Sequence, residues 1–207
     1  MPKRLLPILC LAAGLLLAGC GGLDATPSPS IAPTLPIARL TPAQDTRQSD
    51  GGGEPRTAGY WLIWNTCMPD NQAETARANG GRQAGWIILD DLLEVPGILV
   101  GNLELKTCQQ GANLLQWRDL AGADHSDDPA YTLASQLVTA QLNLAAGAAT
   151  CPLAEKSVQA AQLLLLSLGF DGTQSYLESQ VATRELDTAL LLTDQLTDYN
   201  LGGLCTP

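Results

Sequence analysis

One histidine, His125, sits in an acidic run, Asp124-His125-Ser126-Asp127-Asp128, and here the chain concentrates groups that could bind a cation or move a proton. Asp124, Ser126 and Asp128 alternate as the oxygen ligands of a calcium loop do. The helix-loop-helix calcium motif needs Gly at its sixth position and Glu at its twelfth, and Pro129 and Ser135 stand there instead. The three residues are therefore weak metal candidates, and Asp128 has a plainer role open to it, capping a helix that starts at Pro129. A lone histidine cannot build a multi-His metal site, and no Gly-x-Ser-x-Gly is present to hold a strained serine nucleophile. His125 reads as a solvent-exposed loop residue. Trp61, Trp64, Trp86 and Trp117 form the other distinctive set. Flat indole faces suit pyranose rings, which makes them candidates for ligand binding, but in a chain with a single Phe they also serve as core filler, the preferred reading. Asp90, Asp91 and Glu94 are not assigned to glycoside hydrolysis. Asp194 and Asp198, four apart near a helix C-terminus, are either offset by a basic side chain or bound to a cation.

The cysteines carry the firmest chemistry. Lys3 and Arg4 precede an apolar run from Leu5 to Leu17 that ends Leu17-Ala18-Gly19-Cys20. The 13 residues of that run span about 20 Å as a helix against a bilayer core of about 30 Å, so the run fits a secretion signal rather than a membrane span. Ala18 and Gly19 let a peptidase approach the backbone closely, and Cys20 offers a thiol for a diacylglyceryl group. This box resembles the substrates of lipoprotein signal peptidase. The resemblance implies that residues 1–19 are a removed signal peptide and that Cys20 is lipidated, anchoring the chain in the cell membrane at its extracytoplasmic face. Residues 20–56, with Pro27, Pro29, Pro33, Pro36 and Pro42 among Ser and Thr and then Gly51-Gly52-Gly53, read as an extended tether.

Residues 57–207 are left as a single extracytoplasmic domain, long enough for one core. Loss of Lys3 and Arg4 with the leader reduces the basic residues from 11 to 9 against 21 acidic ones, a net charge of −12. Such a surface repels nucleic acid and anionic headgroups, so the bilayer is reached through acylated Cys20 alone. Cys67, Cys108, Cys151 and Cys205 lie in this exported part. Four thiols in an oxidising compartment predict two disulfides, and among the three possible pairings Cys67 with Cys108 and Cys151 with Cys205 is preferred because each joins chain neighbours. A four-thiolate metal site is the rival, without any Cys-x-x-Cys pair to support it. Phosphate loops, zinc-protease histidine pairs and dinucleotide fingerprints are missing too, and no cofactor is implied.

The C-terminal half has clear helical periodicity. Asp128-Pro129 opens a helix with Leu133, Leu137, Ala140 and Leu144 on one stripe, widened by Ala134, Val138 and Leu142 toward Gly147. A second helix runs from Cys151-Pro152 to Leu168; its Leu163-Leu164-Leu165-Leu166 circles the axis, which predicts the central, most covered helix. A third is predicted over 174–199. Upstream, 59–64 is an aromatic run suited to a strand, 97–108 predicts one or two strands with a bend at Gly101-Asn102, and 112–120 predicts a short helix. Residues 86–93 fit strand or helix, and 72–85 a loop or a frayed helix. The expected product is a mainly α (α+β) fold: a three-helix antiparallel C-terminal bundle packed with a small mixed strand and helix part, and two disulfides.

Gly59-Tyr60-Trp61, Asp128-Pro129-Ala130-Tyr131 leading into Leu133-Ala134-Ser135-Gln136-Leu137-Val138-Thr139-Ala140-Gln141-Leu142-Asn143, Phe170-Asp171-Gly172-Thr173 and Tyr199-Asn200-Leu201-Gly202 together resemble an uncharacterised extracellular bacterial module. Its members typically begin Gly-Tyr-Trp-Lys-Asn-His and carry a Leu-Ala-x-Gln-Leu-x-Ala-Ala-x-Leu-Asn helix; they occur in secreted and surface proteins, often of filamentous green nonsulfur bacteria. The likeness spans residues 59–205, with Leu62-Ile63 where relatives have Lys-Asn and no following His. It implies a surface module without an established catalytic role. The functional expectation is a lipid-anchored, non-catalytic structural or interaction domain facing a cell-surface protein or glycan; a glycan- or cation-binding lipoprotein is the alternative.

Overall fold

The computed structural model describes residues 53–94, 97–177 and 183–205. The expected signal peptide, Cys20 and the expected tether up to residue 52 lie outside the described residues. In chain order the elements are α1 (Ala58–Ile63), α2 (Ala73–Ala78), a 3-10 turn (Gly81–Ala84), α3 (Leu89–Leu93), β1 (Ile98–Val100), β2 (Leu103–Leu105), α4 (Cys108–Leu115), α5 (Pro129–Ala145), α6 (Pro152–Ser167) and α7 (Arg184–Asn200). The protein is mostly helical, with a two-stranded sheet. No helix among the described residues is long and apolar enough to cross a membrane.

α5 is the centre of the fold. Its Asp128 cap accepts from the Ala130 amide at 2.9 Å and Pro129 fills the first turn, where a missing N–H costs nothing. Leu133, Ala134, Leu137, Val138, Ala140 and Leu142 are all fully buried, because α4, α6, α7 and β1 pack around the helix. The predicted central helix, α6, is instead more peripheral. It buries Ala154, Ser157, Ala161 and Leu165 and leaves Leu163 50 % exposed, so its leucine run covers the core with one side only. α7 begins at the Thr183 cap, whose hydroxyl accepts from the Leu186 amide, and buries Leu186, Ala189, Leu192, Leu196 and Tyr199 at helical spacing. The predicted third helix started at 174, but residues 174–177 are not helical: the amides of Tyr176 and Leu177 bond to Asp128 instead. Residues 178–182 of that expected helix lie outside the described residues.

The aromatic run at 59–64 is helix α1, not a strand. Aromatic preference for strands reflects packing more than backbone, and here helical spacing buries Trp61 against α4 and α5 while placing Tyr60 and Trp64 on a shared face. The expected bend at Gly101-Asn102 joins β1 and β2 antiparallel, with Ile98 opposite Leu105 and Val100 opposite Leu103. Their buried, exposed, buried alternation turns one face to the core. Side-chain amides clamp the hairpin. Gln162 of α6 exchanges two 3.1 Å hydrogen bonds with the Gly101 backbone, and Gln141 of α5 donates to the Leu99 carbonyl at 2.7 Å. The short helix predicted over 112–120 comes earlier, at α4, because Thr107 and Gln110 form a reciprocal cap that starts it at Cys108.

The disulfides join Cys67 with Cys108 and Cys151 with Cys205, with Cα atoms 5.9 and 5.6 Å apart. One ties the segment after α1 to the start of α4; the other ties the cap of α6 to Cys205, the last described residue. The tether expectation ran to residue 56, but residues 53–56 are bonded into the domain. Gly53 pairs with Ala148, and the Arg56 backbone exchanges hydrogen bonds with the Asn143 side chain at 2.9 and 2.8 Å.

Gly101 has φ +59°, and a Cβ there would lie 2.7 Å from the Phe170 carbonyl oxygen. Substituting Gly101→Ala should therefore cost about 2–3 kcal/mol in urea unfolding, whereas Asn102→Ala, at an exposed position, should change stability by about 0.5 kcal/mol or less.

Candidate functional site

The loop from α4 to α5 and the loop after α6 meet at the N-terminus of α5. At the end of α4, Asn113 holds the chain: its carbonyl accepts from Arg118 N–H at 2.9 Å and its Nδ2 donates to the Asp119 carbonyl at 3.2 Å. Residues 117–125 then fold back as a compact loop in which the backbones of Arg118 and Asp124 pair antiparallel and the His125 amide donates to the Trp117 carbonyl at 2.8 Å. From the other side, Leu120 N–H donates to the Gly172 carbonyl at 2.9 Å, which joins the two loops.

Asp128 closes this junction. Besides Ala130, its carboxylate accepts from the amides of Tyr176 at 2.7 Å and Leu177 at 3.2 Å. One buried side chain therefore starts α5 and pins a loop nearly fifty residues away in sequence. Its oxygens are spent on backbone N–H groups, and Asp124 likewise accepts from the Ser126 amide at 2.9 Å. These bonds give the alternating Asp124, Ser126 and Asp128 a structural role. No group of three or more metal-ligating acidic, His or Cys side chains occurs among the described residues.

His125 is not the exposed loop residue that the sequence suggests; its side chain is 16 % exposed. The imidazole stacks flat on the buried Tyr131 ring, centroids 4.4 Å apart and 9° between planes. Its Nε2 lies 3.5 Å from an Asp119 carboxylate oxygen, and its Nδ1 lies 3.3 Å from the Ser175 hydroxyl. Ser175 itself is exposed, but both flanking residues are fixed: Tyr131 Oη donates to the Gln174 carbonyl at 3.0 Å and Tyr176 N–H is on Asp128. An Asp119, His125, Ser175 series thus stands on backbone held from α4, α5 and the loop after α6. Desolvation pulls the Asp119 carboxyl upward, yet the Ala123 amide at 2.8 Å and the His125 contact, with help from Ala121, hold it below its ordinary value. Asp124 is held low by Ser126, and Asp171 by Thr173 and the Tyr176 hydroxyl. Burial pushes the Tyr131 phenol up, with the phenol of Tyr176 and the carboxylates of Asp119, Asp128 and Asp171 adding to it.

Trp117, beside this cluster in the chain, is 43 % exposed and has φ +59°, a left-handed conformation that a bulky side chain rarely adopts. The other tryptophans lie elsewhere. Trp61 is wholly buried, with an indole N–H that finds no hydrogen-bond partner among the described residues, so it is core. Trp64 and Trp86 extend outward an aromatic series that starts at Trp61, whose ring meets Tyr60 edge-on at 5.0 Å. The Arg56 guanidinium lies 4.4 Å over Tyr60, Tyr60 stacks on Trp64 at 5.8 Å, and Trp64 tilts against Trp86 at 5.2 Å, where the indole is 37 % exposed. The four tryptophans therefore lie in two places, Trp61, Trp64 and Trp86 in one aromatic series and Trp117 apart from it. Asp90 is engaged by the amide and hydroxyl of Thr66, and Asp194 and Asp198 are exposed.

Asp119, Ser175, Tyr131 and Tyr176 had no signal in the sequence, since Ser175 lies fifty residues from His125 and no local pattern links them. No protein family matches the chain, and no curated protein or solved structure matches it either.

Because Asp119, Asp124 and Asp171 titrate below the 3.8 of a free Asp, the unfolded chain takes up protons before the folded one does. Their contribution to stability is fully present above pH 5 and is lost as pH falls through the folded-state values. The urea midpoint should therefore hold from pH 7 to 5 and drop below about pH 4. Asp119→Asn should cost about 1–3 kcal/mol at pH 7 and make the acid drop shallower.

Proposed function

We propose that this chain is a lipid-anchored domain displayed at the extracytoplasmic face of the cell membrane, where it serves as a structural or interaction module. The observation that carries this reading is the distribution of thiols. All four cysteines of the folded part are paired in disulfides, the state expected of an exported domain, and Cys10 falls in the signal segment. Cys20, behind Leu17-Ala18-Gly19, is then the one thiol left for acylation in the mature chain. Two or three acyl chains bind a bilayer durably where a single chain exchanges, so attachment needs nothing from the acidic surface.

The domain suits a displayed role physically. The pairing of Gly53 with Ala148 in the loop between α5 and α6, and of Arg56 with Asn143 in the last turn of α5, puts the point of entry of the chain close to the start of α6, where Cys151 is bonded to Cys205. The other disulfide holds the aromatic end, at the segment between α1 and α2. A module fastened at both ends in this way resists unravelling from its anchored side, as a small domain outside the cell requires.

Metabolic labelling with an alkyne-bearing fatty acid tests the anchor. Wild-type chain should incorporate label and partition with membranes, and Cys20→Ser should lose both while keeping its two disulfides. Equal labelling of the two proteins would overturn the reading.

A further inference from the structure

The fold brings together, from the loop between α4 and α5 and the loop after α6, a nucleophile, a base and a carboxylate in the order that acyl transfer uses. We propose that Ser175 is an acyl-accepting nucleophile, with His125 as its general base and Asp119 as the positioning carboxylate, and that the substrate class is a neutral carboxylic ester. This goes beyond the anchored-module reading and does not depend on it.

The geometry sets each role. The carboxylate of Asp119 faces Nε2, so the neutral imidazole carries its proton there and leaves the Nδ1 lone pair toward the Ser175 hydroxyl, 3.3 Å away. Stacking on Tyr131 fixes the ring plane, and the Ala123 amide fixes Asp119. Ser175 cannot drift from the base, since Gln174 and Tyr176 on either side are tied to Tyr131 and Asp128. The hydroxyl is nonetheless on the surface, where a substrate can meet it. Distances of 3.3 and 3.5 Å are in the range that tightens when substrate binds. The strained backbone at Trp117 is an independent mark on the same loop. Its carbonyl accepts from the His125 amide, so the unfavourable φ is tied to the residue that acts as base. A net charge of −10 over the whole chain disfavours anionic substrates, so the ester that approaches carries no negative charge.

In the reaction, Ser175 Oγ bonds to the ester carbonyl carbon while its proton passes to His125 Nδ1 and the C=O π pair moves onto oxygen. Collapse breaks the C–O bond to the leaving alcohol, which takes the proton from Nδ1. Water then adds to the acyl-serine with the same proton path, releasing the carboxylic acid and restoring Ser175.

A fluorophosphonate probe, which phosphonylates activated serines, tests this on the full-length chain in detergent. Wild-type protein should carry one adduct, mapped to Ser175; Ser175→Ala, at an exposed position, should fold normally and carry none. His125→Ala should label about 100-fold more slowly, with added imidazole restoring part of the rate. Asp119→Asn should also slow labelling and Asp119→Glu should recover part of it, a pattern that loss of structure alone does not give. Intact disulfides and an unchanged circular dichroism spectrum establish that each variant is folded. Absence of an adduct on folded wild-type protein, or an undiminished rate in folded His125→Ala, would overturn the proposal.

Discussion

The carboxylate of Asp128 joins two parts of the chain that lie almost fifty residues apart in sequence. A helix N-terminus leaves amides without intrahelical partners, and the usual remedy satisfies one of them with the capping side chain. Here the same two oxygens also take the amides of Tyr176 and Leu177, so the start of α5 and the loop after α6 share one buried anion. Hydrogen bonds to a charged acceptor contribute about 1.5–3 kcal/mol each, and an orphaned buried partner costs a similar amount. Removing this anion would loosen the first turn of α5 and the stretch that carries Ser175, while the buried stripe along which α4, α6, α7 and β1 pack on α5 stays in place. The candidate site is thus a by-product of the way the central helix begins.

A related economy governs the rest of the fold. With one two-stranded sheet, long irregular segments must find hydrogen bonds elsewhere, and side-chain amides on the helices supply them. Gln162 and Gln141 hold the hairpin, Asn143 holds residue 56, and the Asn200 amide donates to Gln136 and accepts from Asn143. Asn65 caps the end of α1 while its Oδ1 takes the amides of Cys67 and Met68. These bonds convert helix surfaces into clamps for loops. Packing at α5 supplies stability, and the amides decide where each loop lies.

Features written in short, local chemistry were legible from the sequence. Asp128-Pro129 and Cys151-Pro152 each mark a helix start because Pro preorganises the first turn, and Gly101-Asn102 marks a bend because a positive φ wants Gly. The disulfide pairing followed from the proximity of each cysteine to its neighbour along the chain. Elements decided by distant partners were not legible. The 59–64 run became a helix because Trp61 fits a cavity offered by α4 and α5, and the leucines of α6 overstated its burial because hydrophobicity on every side does not by itself bring in neighbours. The third helix was drawn too long for a similar reason: the side chains of 174–177 fit a helical stripe, but their amides were claimed by Asp128. At the candidate site, the aspartate was recognised as a cap and its two remote amides were not. His125 was taken for a solvated residue because Asp119, Tyr131 and Ser175 are brought to it by the fold alone.

Backbone amide exchange followed by NMR in wild type and Asp128→Ala tests the central role of this carboxylate most directly. If one anion joins the two regions, Ala130, Tyr176 and Leu177 should lose protection together, by about tenfold or more, while Leu192 and Leu196 in α7 keep theirs. Loss confined to Ala130, with Tyr176 and Leu177 as protected as in wild type, would show that the loop is held by something else and would contradict the account.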